Sequence, residues 1–318
     1  MSTPCANGCP PPDGLCDLGT TDWGDVANYR TFKNYRDTFV RVGHCYQWST
    51  CAGNADWWSR GYFNFNTSAL NARNGFQAKI LGATFSATDA HTGDNGCNWV
   101  QVFWTDQQFG SGTGWPGPPG PHNMDGAKNA CNGAAIQANA YDIAKVAVDW
   151  NGSLVTIGLM STDESSRDQA HWNRFANNAV LAVDYLFPPN VATNQGVANS
   201  VNCTGVPTTP DKRPTLLATS SDNNPVPLNV RLYWEVWTSD IKTRVAVSPG
   251  IEIASGSTGQ WQVPTDLADG LYVYHVGTEN TGGSWAPGGW SPNFLFKVRR
   301  TPPTAANMAA TDYTPGYW

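Results

Sequence analysis

Paired carboxylates are the first residues to test, because glycoside hydrolysis requires two carboxyl groups held at a defined separation. Glutamate is scarce in this chain and occurs only at positions 164, 235, 252 and 279. One polar stretch combines acids with possible proton-transfer partners: Asp163, Glu164, Arg167, Asp168 and His171. Such a stretch between strands is typical of a solvated turn with local ion pairs, and no catalytic partner motif accompanies it.

Other reactive or charged motifs are missing from the sequence. The five histidines have neither H-E-x-x-H nor H-x-H spacing, and there is no Gly-x-Ser-x-Gly nucleophile elbow. A net charge of -6 without any basic run argues against nucleic acid as a partner. No apolar run approaches the roughly 18 residues of a membrane-spanning helix. We therefore predict a protein that is not an enzyme and has no membrane span.

Aromatic residues offer a different chemistry, the stacking of flat rings on the apolar faces of sugars. The segment from 45 to 58 combines rings with polar neighbours: Tyr46, Gln47, Trp48, Asn54, Asp56, Trp57 and Trp58. A disulfide from Cys45 to Cys51 would staple this segment as a hairpin loop. Two interpretations stay open: the rings form a ligand platform, or they cap the open end of a sandwich and cover the disulfide.

A second aromatic group comprises Trp99, Phe103, Trp104 and Trp115. Because strand side chains alternate, Trp99 and Phe103 are predicted to face the core and Trp104 the opposite side. Trp115 lies in a loop rich in Gly and Pro over 110–121, which can be neither helix nor central strand. We expect its ring to be exposed, either as a ligand contact or as an anchor of the loop.

The cysteines indicate the compartment. Their number is even, eight, which predicts disulfides and hence a secreted or cell-surface protein. Cys97 and Cys131 bracket the long loop and are predicted to pair, whereas the connectivity of the remaining four stays open: Cys5, Cys9, Cys16 and Cys203. Zinc would require paired spacings that these cysteines lack, and no cofactor is predicted.

Structural calcium is an alternative for some loop acids. Asp17, Asp22, Asp25 and the loop 89–95 offer the hard oxygen ligands that calcium prefers. Without a spacing motif such as an EF-hand, the same residues serve equally well as turn caps.

Short strand-forming runs separated by Gly, Asn, Asp and Pro clusters predict an all-β fold. In the first half these runs are 39–42, 62–65, 80–87, 99–104, 146–148, 154–159 and 180–185. In the second half they are 215–218, 228–237, 245–253, 260–263, 271–279 and 293–298. A short helix competes within 134–148.

Breaks in this pattern predict five segments. They are a Cys-rich, loop-like N-terminal segment (1–25), a first β-sandwich (26–188), a linker (189–211), a smaller β-sandwich of about 100 residues (212–300), and a linker tail (301–318) that leads to neighbouring modules of a longer chain.

Four motifs in order give the first domain a family likeness: FVRVG at 39–43, SRGYFNFNTS at 59–68, ILGATFSA at 80–87, and RF at 174–175 leading into VLAVDY at 180–185. Together they resemble the DNRLRE-type domain, a jelly-roll sandwich of bacterial secreted proteins. Asn66 stands where that family often has Asp. The resemblance, over roughly residues 26–186, implies a carbohydrate-binding or surface-display module.

The second domain closes with WQVP at 261–264, LADGLYVYHV at 267–276 and WSPNFLFKV at 290–298. These segments resemble the closing strands of fibronectin type III and related immunoglobulin-like domains, which implies a fold more than an activity. Three hypotheses follow: a non-catalytic extracellular module that binds polysaccharide or cell-surface glycan through aromatic stacking, a structural spacer or adhesion segment of a large surface protein, or an accessory region of an enzyme whose catalytic domain lies elsewhere.

Overall fold

The computed structural model describes residues 15–27, 33–45, 57–73, 75–93, 96–165, 172–202 and 205–300. The chain divides into two compact units, Met1–Pro188 with Asn223–Pro227, and Pro189–Asp222 with Leu228–Trp318. Both are built almost entirely from β-strands, which confirms the all-β sandwich-type fold. No helix in the described residues is long and apolar enough to cross a membrane.

The described part of the first unit contains eleven strands and one α-helix. They are β1 Leu15–Ala27, β2 Lys33–Tyr35, β3 Phe39–Cys45, β4 Trp57–Asn66, β5 Lys79–Thr92, β6 Cys97–Thr105, β7 His122–Cys131, β8 Ala135–Asn139, α1 Tyr141–Trp150, β9 Leu154–Ser161, β10 Trp172–Ala176 and β11 Val180–Leu186. Over residues 15–25, strand β1 corrects the prediction of a loop-like segment, because its backbone pairs with β11, β2 and β4, whereas residues 1–14 lie outside the described residues.

Strands β1 and β5 belong to both layers of this unit. Residues 15–19 of β1 pair with β11, whereas residues 20–27 pair with β4. Residues 79–88 of β5 pair with β11 and β8, and residues 89–92 pair with β10. One layer therefore has the order β8-β5-β11-β1. The other layer contains β7-β6-β9-β4 in this order. Strand β4 also pairs with β1 and with β3, and β3 pairs in turn with β10.

Phenylalanine rings from both layers meet in the core of the first unit. Phe85 of β5 is fully buried, and its ring centroid lies 6.0 Å from those of Phe63 and Phe65 on β4. Removing a buried ring of this size costs about 3–5 kcal/mol. These contacts therefore contribute strongly to holding the two layers together.

The short helix predicted within 134–148 is present as α1, but it begins only at residue 141 and extends to residue 150. Residues 135–139 form strand β8, and helix α1 runs through 146–148, which were predicted as a strand. The buried residues of the helix recur at helical spacing: Ile143, Ala144, Ala147 and Val148. Asn151, in the left-handed conformation with φ 48°, ends the helix by donating its N–H to carbonyls of the last turn.

The second unit consists of two sheets. Its strands are β12 Thr193–Val197, β13 Thr208–Thr209, β14 Thr215–Thr219, β15 Val230–Thr238, β16 Arg244–Val247, β17 Ile251–Ile253, β18 Thr258–Gln262, β19 Gly270–Asn280, β20 Trp285–Trp290 and β21 Phe294–Val298. One sheet has the order β12-β14-β18, and the other β13-β21-β19-β15-β16, with β17 pairing to β15 and β20 to β19. Trp234, Tyr274 and Phe296 are fully buried in its core.

Two of these strands lie where a linker was predicted. Strand β12 pairs with β14, and β13 pairs in parallel with β21. The segment 189–211 therefore begins the second unit, which corrects the predicted linker. The residues of β12, TNQGV, do not alternate between apolar and polar. Backbone pairing with β14, more than side-chain burial, holds this strand in its sheet.

Candidate ligand-binding face

The structure describes only some residues of the ligand platform that was predicted in the segment 45–58. Trp57 is 2% exposed, and its ring packs edge-on against Trp172 with centroids 5.2 Å apart. Trp58 is half-buried and stacks on His44 at 4.4 Å. Trp57 thus presents no free ring face, as in the packing interpretation of this loop. The other four predicted site residues of the loop lie outside the described residues: Tyr46, Trp48, Asn54 and Asp56.

Trp115 acts as an anchor of the Gly- and Pro-rich loop. The ring is 36% exposed, and the guanidinium of Arg60 lies 4.9 Å from its centroid. The same guanidinium binds Glu164 through two hydrogen bonds of 2.7 Å and 2.6 Å. Since Arg60 covers one face of the indole, Trp115 keeps at most the other for a ligand.

Tyr62 holds the same loop from below. Its hydroxyl donates to the carbonyl of Pro116 at 2.9 Å, and burial raises the pKa of the phenol, so the proton stays available for this bond. Gly117 has φ 104°, and a Cβ there would overlap the hydroxyl of Tyr62. The loop is therefore fastened at neighbouring backbone positions.

The aromatic residues of β6 lie on opposite faces, as predicted, but the face that covers the sandwich core is the one that carries Trp104. Strand β6 pairs with β9 without a register shift, so its side chains keep one alternation. Trp99 and Phe103 share the other face, which corrects their prediction as core residues: Trp99 is 55% exposed, and Phe103 is buried in a separate cluster that includes Tyr62. Trp104 is half-buried and stacks on His122 at 4.0 Å.

The acids considered for calcium already bind protein donors. Asp25 is fully buried and accepts a backbone N–H of β3 at 3.1 Å. Asp89 accepts an amide N–H of β10 at 2.7 Å, and burial raises its pKa. Asp22 pairs with Arg36, while the side chain of Asp17 and residues 94–95 are not described. Across the described ranges, no three His, Cys, Asp or Glu side chains come together. Calcium stays a prediction.

Two cysteines confirm a predicted disulfide. Cys97 and Cys131 lie directly opposite each other on β6 and β7 and are joined by an S–S bond of 2.05 Å. Cys45 is also disulfide-bonded. Its predicted partner Cys51 lies outside the described residues, as do Cys5, Cys9, Cys203 and the side chain of Cys16.

A different group of rings faces solvent on the second unit, on the outer side of the sheet β13-β21-β19-β15-β16. Strand β15 buries Leu232, Trp234 and Val236 in the core, so its alternate residues point outward. Strand β19 presents an outward histidine, and β20 adds two tryptophans. We call this surface the aromatic face and define it by five residues: Tyr233, Trp237, His275, Trp285 and Trp290.

The rings of the aromatic face form a contiguous strip. Tyr233 stacks on Trp285 with centroids 5.0 Å apart. His275 contacts Trp290 at 4.4 Å and Trp237 at 6.4 Å. Trp285 is 46% and Trp290 39% exposed. Tyr233 and Trp237 are four residues apart on one strand, so the strip extends about 13 Å along it.

A glycine makes this packing sterically possible. Gly277 of β19 lies between its cross-strand partners Tyr233 and Trp290. A Cβ at Gly277 would lie 3.1 Å from the ring of Trp290 and 3.2 Å from that of Trp285. The missing side chain therefore lets both indoles lie over the backbone of β19.

Polar side chains border the rings. Glu235 accepts hydrogen bonds from Arg244 at 2.7 Å and, through Nε2, from His275 at 3.0 Å. Burial raises the pKa of Glu235, but these hydrogen bonds outweigh burial and lower it overall. The hydroxyl of Tyr233 donates to Glu279 at 2.9 Å, and burial together with this bond raises the pKa of the phenol. The face thus combines flat apolar rings with carboxylates and a phenol.

The sequence contained a signal for this face that the strand analysis did not use. In β15, an apolar residue alternates with Arg231, Tyr233, Glu235 and Trp237. An outward position occupied twice by large aromatic residues indicates an exposed apolar patch.

Comparisons with known proteins identify no family. No family model and no curated protein matches the chain. Among solved structures, it is similar to a β-glucuronidase of Parabacteroides merdae, with 13% identity over 76% of this chain and 27% of that chain and a TM-score of 0.23. It is also similar to a putative β-galactosidase of Bacteroides fragilis, with 10% identity over 90% and 41% and a TM-score of 0.24. For a glycosyl hydrolase family 2 member of Bacteroides cellulosilyticus, identity is 9% over 89% and 36%, with a TM-score of 0.25.

The chain spans less than half the length of each of these structures. Likenesses with such identities and TM-scores establish no shared activity.

Proposed function

We propose that the aromatic face binds polysaccharide or cell-surface glycan as part of a non-catalytic module. The observation that carries the proposal is the contiguous exposure of its rings, including Trp285 and Trp290. Sugar rings have apolar faces edged by hydroxyls, so indoles bordered by carboxylates and a phenol complement both. An exposed apolar patch of this kind marks an interaction site more often than a bare surface.

The acids of the face support binding without hydrolysis. A glycosidase requires one carboxyl group with a raised pKa as the general acid. Glu235 has a lowered pKa and binds Arg244, and Glu279 accepts the Tyr233 hydroxyl. The lowered pKa of Glu235 does not favour a protonated carboxylic acid poised above a glycosidic oxygen.

We assign this module to a secreted or cell-surface protein of bacteria, in which neighbouring modules of a longer chain would position it. The disulfide between Cys97 and Cys131 supports an oxidising compartment. The resemblance of the first domain to DNRLRE-type domains is compatible with such a surface protein. Calcium and the loop 45–58 would add to this function without being required by it.

A second candidate is a structural or adhesion segment that docks another protein. Exposed aliphatic residues on the same sheet favour it, namely Val247, Leu271 and Leu295. A protein partner would cover these together with the rings, whereas a glycan would need the rings alone.

The test is glycan-array binding followed by affinity electrophoresis in soluble polysaccharides. The variants are Trp285→Ala, Trp290→Ala and their combination. Each ring contributes about 0.5–1.5 kcal/mol, so the double variant is expected to bind at least about fivefold more weakly. Trp99→Ala, which removes an exposed tryptophan from the first unit, is the matched control. Failure of the intact protein to bind any glycan would contradict the proposal and favour a protein partner.

A further inference from the structure

The charged groups on the outer side of the ring-bearing sheet balance one another. In-register pairing puts three bases and three acids on this side: Arg231, Glu235, Arg244, Glu252, Glu279 and Lys297. With His275 neutral, their formal charges cancel. The face therefore has no net positive field that would attract a polyanion.

Both arginines already face a carboxylate. Arg244 binds Glu235 at 2.7 Å, and Arg231 lies 3.5 Å from Glu252. A planar guanidinium is the group best suited to bind a sugar carboxylate or sulfate. An acidic sugar would have to displace an existing partner to reach either one.

The acids nearest the indoles would oppose such a ligand. Glu279 is the cross-strand partner of Trp285, and Glu235 is that of His275. A uronic acid stacked on Trp285 or Trp290 would bring its carboxylate close to these charges. A neutral sugar in the same position would instead offer hydroxyl donors to the carboxylate oxygens.

We infer that the aromatic face selects neutral polysaccharides over anionic ones. This inference rests on the proposed function and specifies its ligand class. The strip of about 13 Å along β15 suits an extended, unbranched segment that contacts several rings at once.

The experiment uses pairs of polysaccharides that share a backbone and differ in charge. Hydroxyethyl cellulose is paired with carboxymethyl cellulose, arabinoxylan with glucuronoxylan, and methyl-esterified homogalacturonan with polygalacturonate. Affinity electrophoresis of the intact protein at low salt is expected to show about tenfold weaker binding to the anionic member of any pair that binds. The difference is expected to shrink at about 1 M salt, where the screening length falls to about 3 Å.

A charge variant tests the cause. Glu279→Gln keeps an acceptor for the hydroxyl of Tyr233 but removes the negative charge. It is therefore expected to reduce the difference in affinity between the neutral and the anionic member of a pair. Asp149→Asn, at an exposed position of helix α1 in the first unit, makes the same change in net charge and is the control.

The outcomes separate the two proposals. Equal or tighter binding of the anionic members, abolished in the Trp285→Ala/Trp290→Ala double variant, would overturn the selection for neutral glycans and leave the proposed function standing. No binding to any member of the three pairs or to the glycan array would overturn both. Asp149→Asn could reduce the affinity difference between the neutral and the anionic member of a pair as much as Glu279→Gln does. That result would show that the overall charge of the protein, and not the aromatic face, sets the preference.

Discussion

Removal of the disulfide between Cys97 and Cys131 gives the sharpest test of how the first unit is stabilised. The bond joins β6 and β7 across a loop that includes the Gly- and Pro-rich segment 110–121. Within this segment, Arg60 contacts the ring of Trp115, the hydroxyl of Tyr62 donates to the carbonyl of Pro116, and the N–H of Asp106 donates to the carbonyl of Pro119. The variant is Cys97→Ala combined with Cys131→Ala, so that no lone thiol remains to exchange with other cysteines.

The magnitude follows from the length of the closed loop. The bonded residues are 34 positions apart. A cross-link of this separation lowers the conformational entropy of the unfolded chain and thereby raises the free energy of the unfolded state by about 3.8 kcal/mol. The free energy of unfolding of the first unit is therefore expected to fall by about 3–4 kcal/mol. Since the stability of a domain is about 5–15 kcal/mol, the variant should still fold.

The assay is urea unfolding followed by hydrogen exchange with mass spectrometry, which separates the two units. Amides of β6 and β7 should lose protection in the variant, whereas those of β15 and β19 in the second unit should not. Glycan binding at the aromatic face should also be unchanged. A loss below about 1 kcal/mol would refute the loop-entropy argument, because it would mean that the loop is already restricted in the unfolded chain.

Three further predictions address single residues. Gly277→Ala should push both indoles outward and weaken glycan binding about fivefold, whereas Gly82→Ala on β5, where a Cβ meets no atom within 4 Å, should not. Glu164→Gln should lower the unfolding free energy of the first unit by about 1–2 kcal/mol and speed proteolysis of the loop 110–121. Burial raises the pKa of Asp89, so its stabilising contribution is present at low pH and is lost as the pH rises through its folded-state pKa. Urea unfolding should therefore show the wild type gaining stability relative to Asp89→Asn between neutral pH and about 4.

Strand alternation was enough to predict much of the fold. Strands β3 and β11 contain buried apolar residues at alternate positions, Val40 and Val42 in β3 and Leu181, Val183 and Tyr185 in β11, so their existence followed from the sequence. Strand β7 was not predicted, because its residues HNMDGAKNAC are largely polar. Its place in the sheet depends on pairing with β6. A short helix within 134–148 was predicted and is present as α1, but residues 146–148 were predicted as a strand, because a short apolar run fits both the helical and the strand period.

Burial of individual aromatic residues could not be predicted to the same degree. Trp57 is covered by Trp172 from a distant strand, and Trp99 is exposed because it lies on the face of β6 that points away from the sandwich core. Both outcomes depend on tertiary contacts that a local pattern does not contain. Trp285 and Trp290 form a surface only because β20 folds back on β19 over Gly277. The candidate site therefore emerged from the structure, although its chemistry matches the stacking predicted for another loop.

The pairing of β1 with β11 has a consequence for how the first unit is made. Gly19 lies opposite Val180, so almost the whole unit must be synthesised before its first strand finds its outer partner. Contacts of such long sequence separation slow folding, and until they form, the edges of β1 and β5 remain open to other chains. A chaperone that shields these edges, or a slower rate of translation, should therefore raise the yield of correctly assembled protein, and a chain truncated before residue 180 should aggregate.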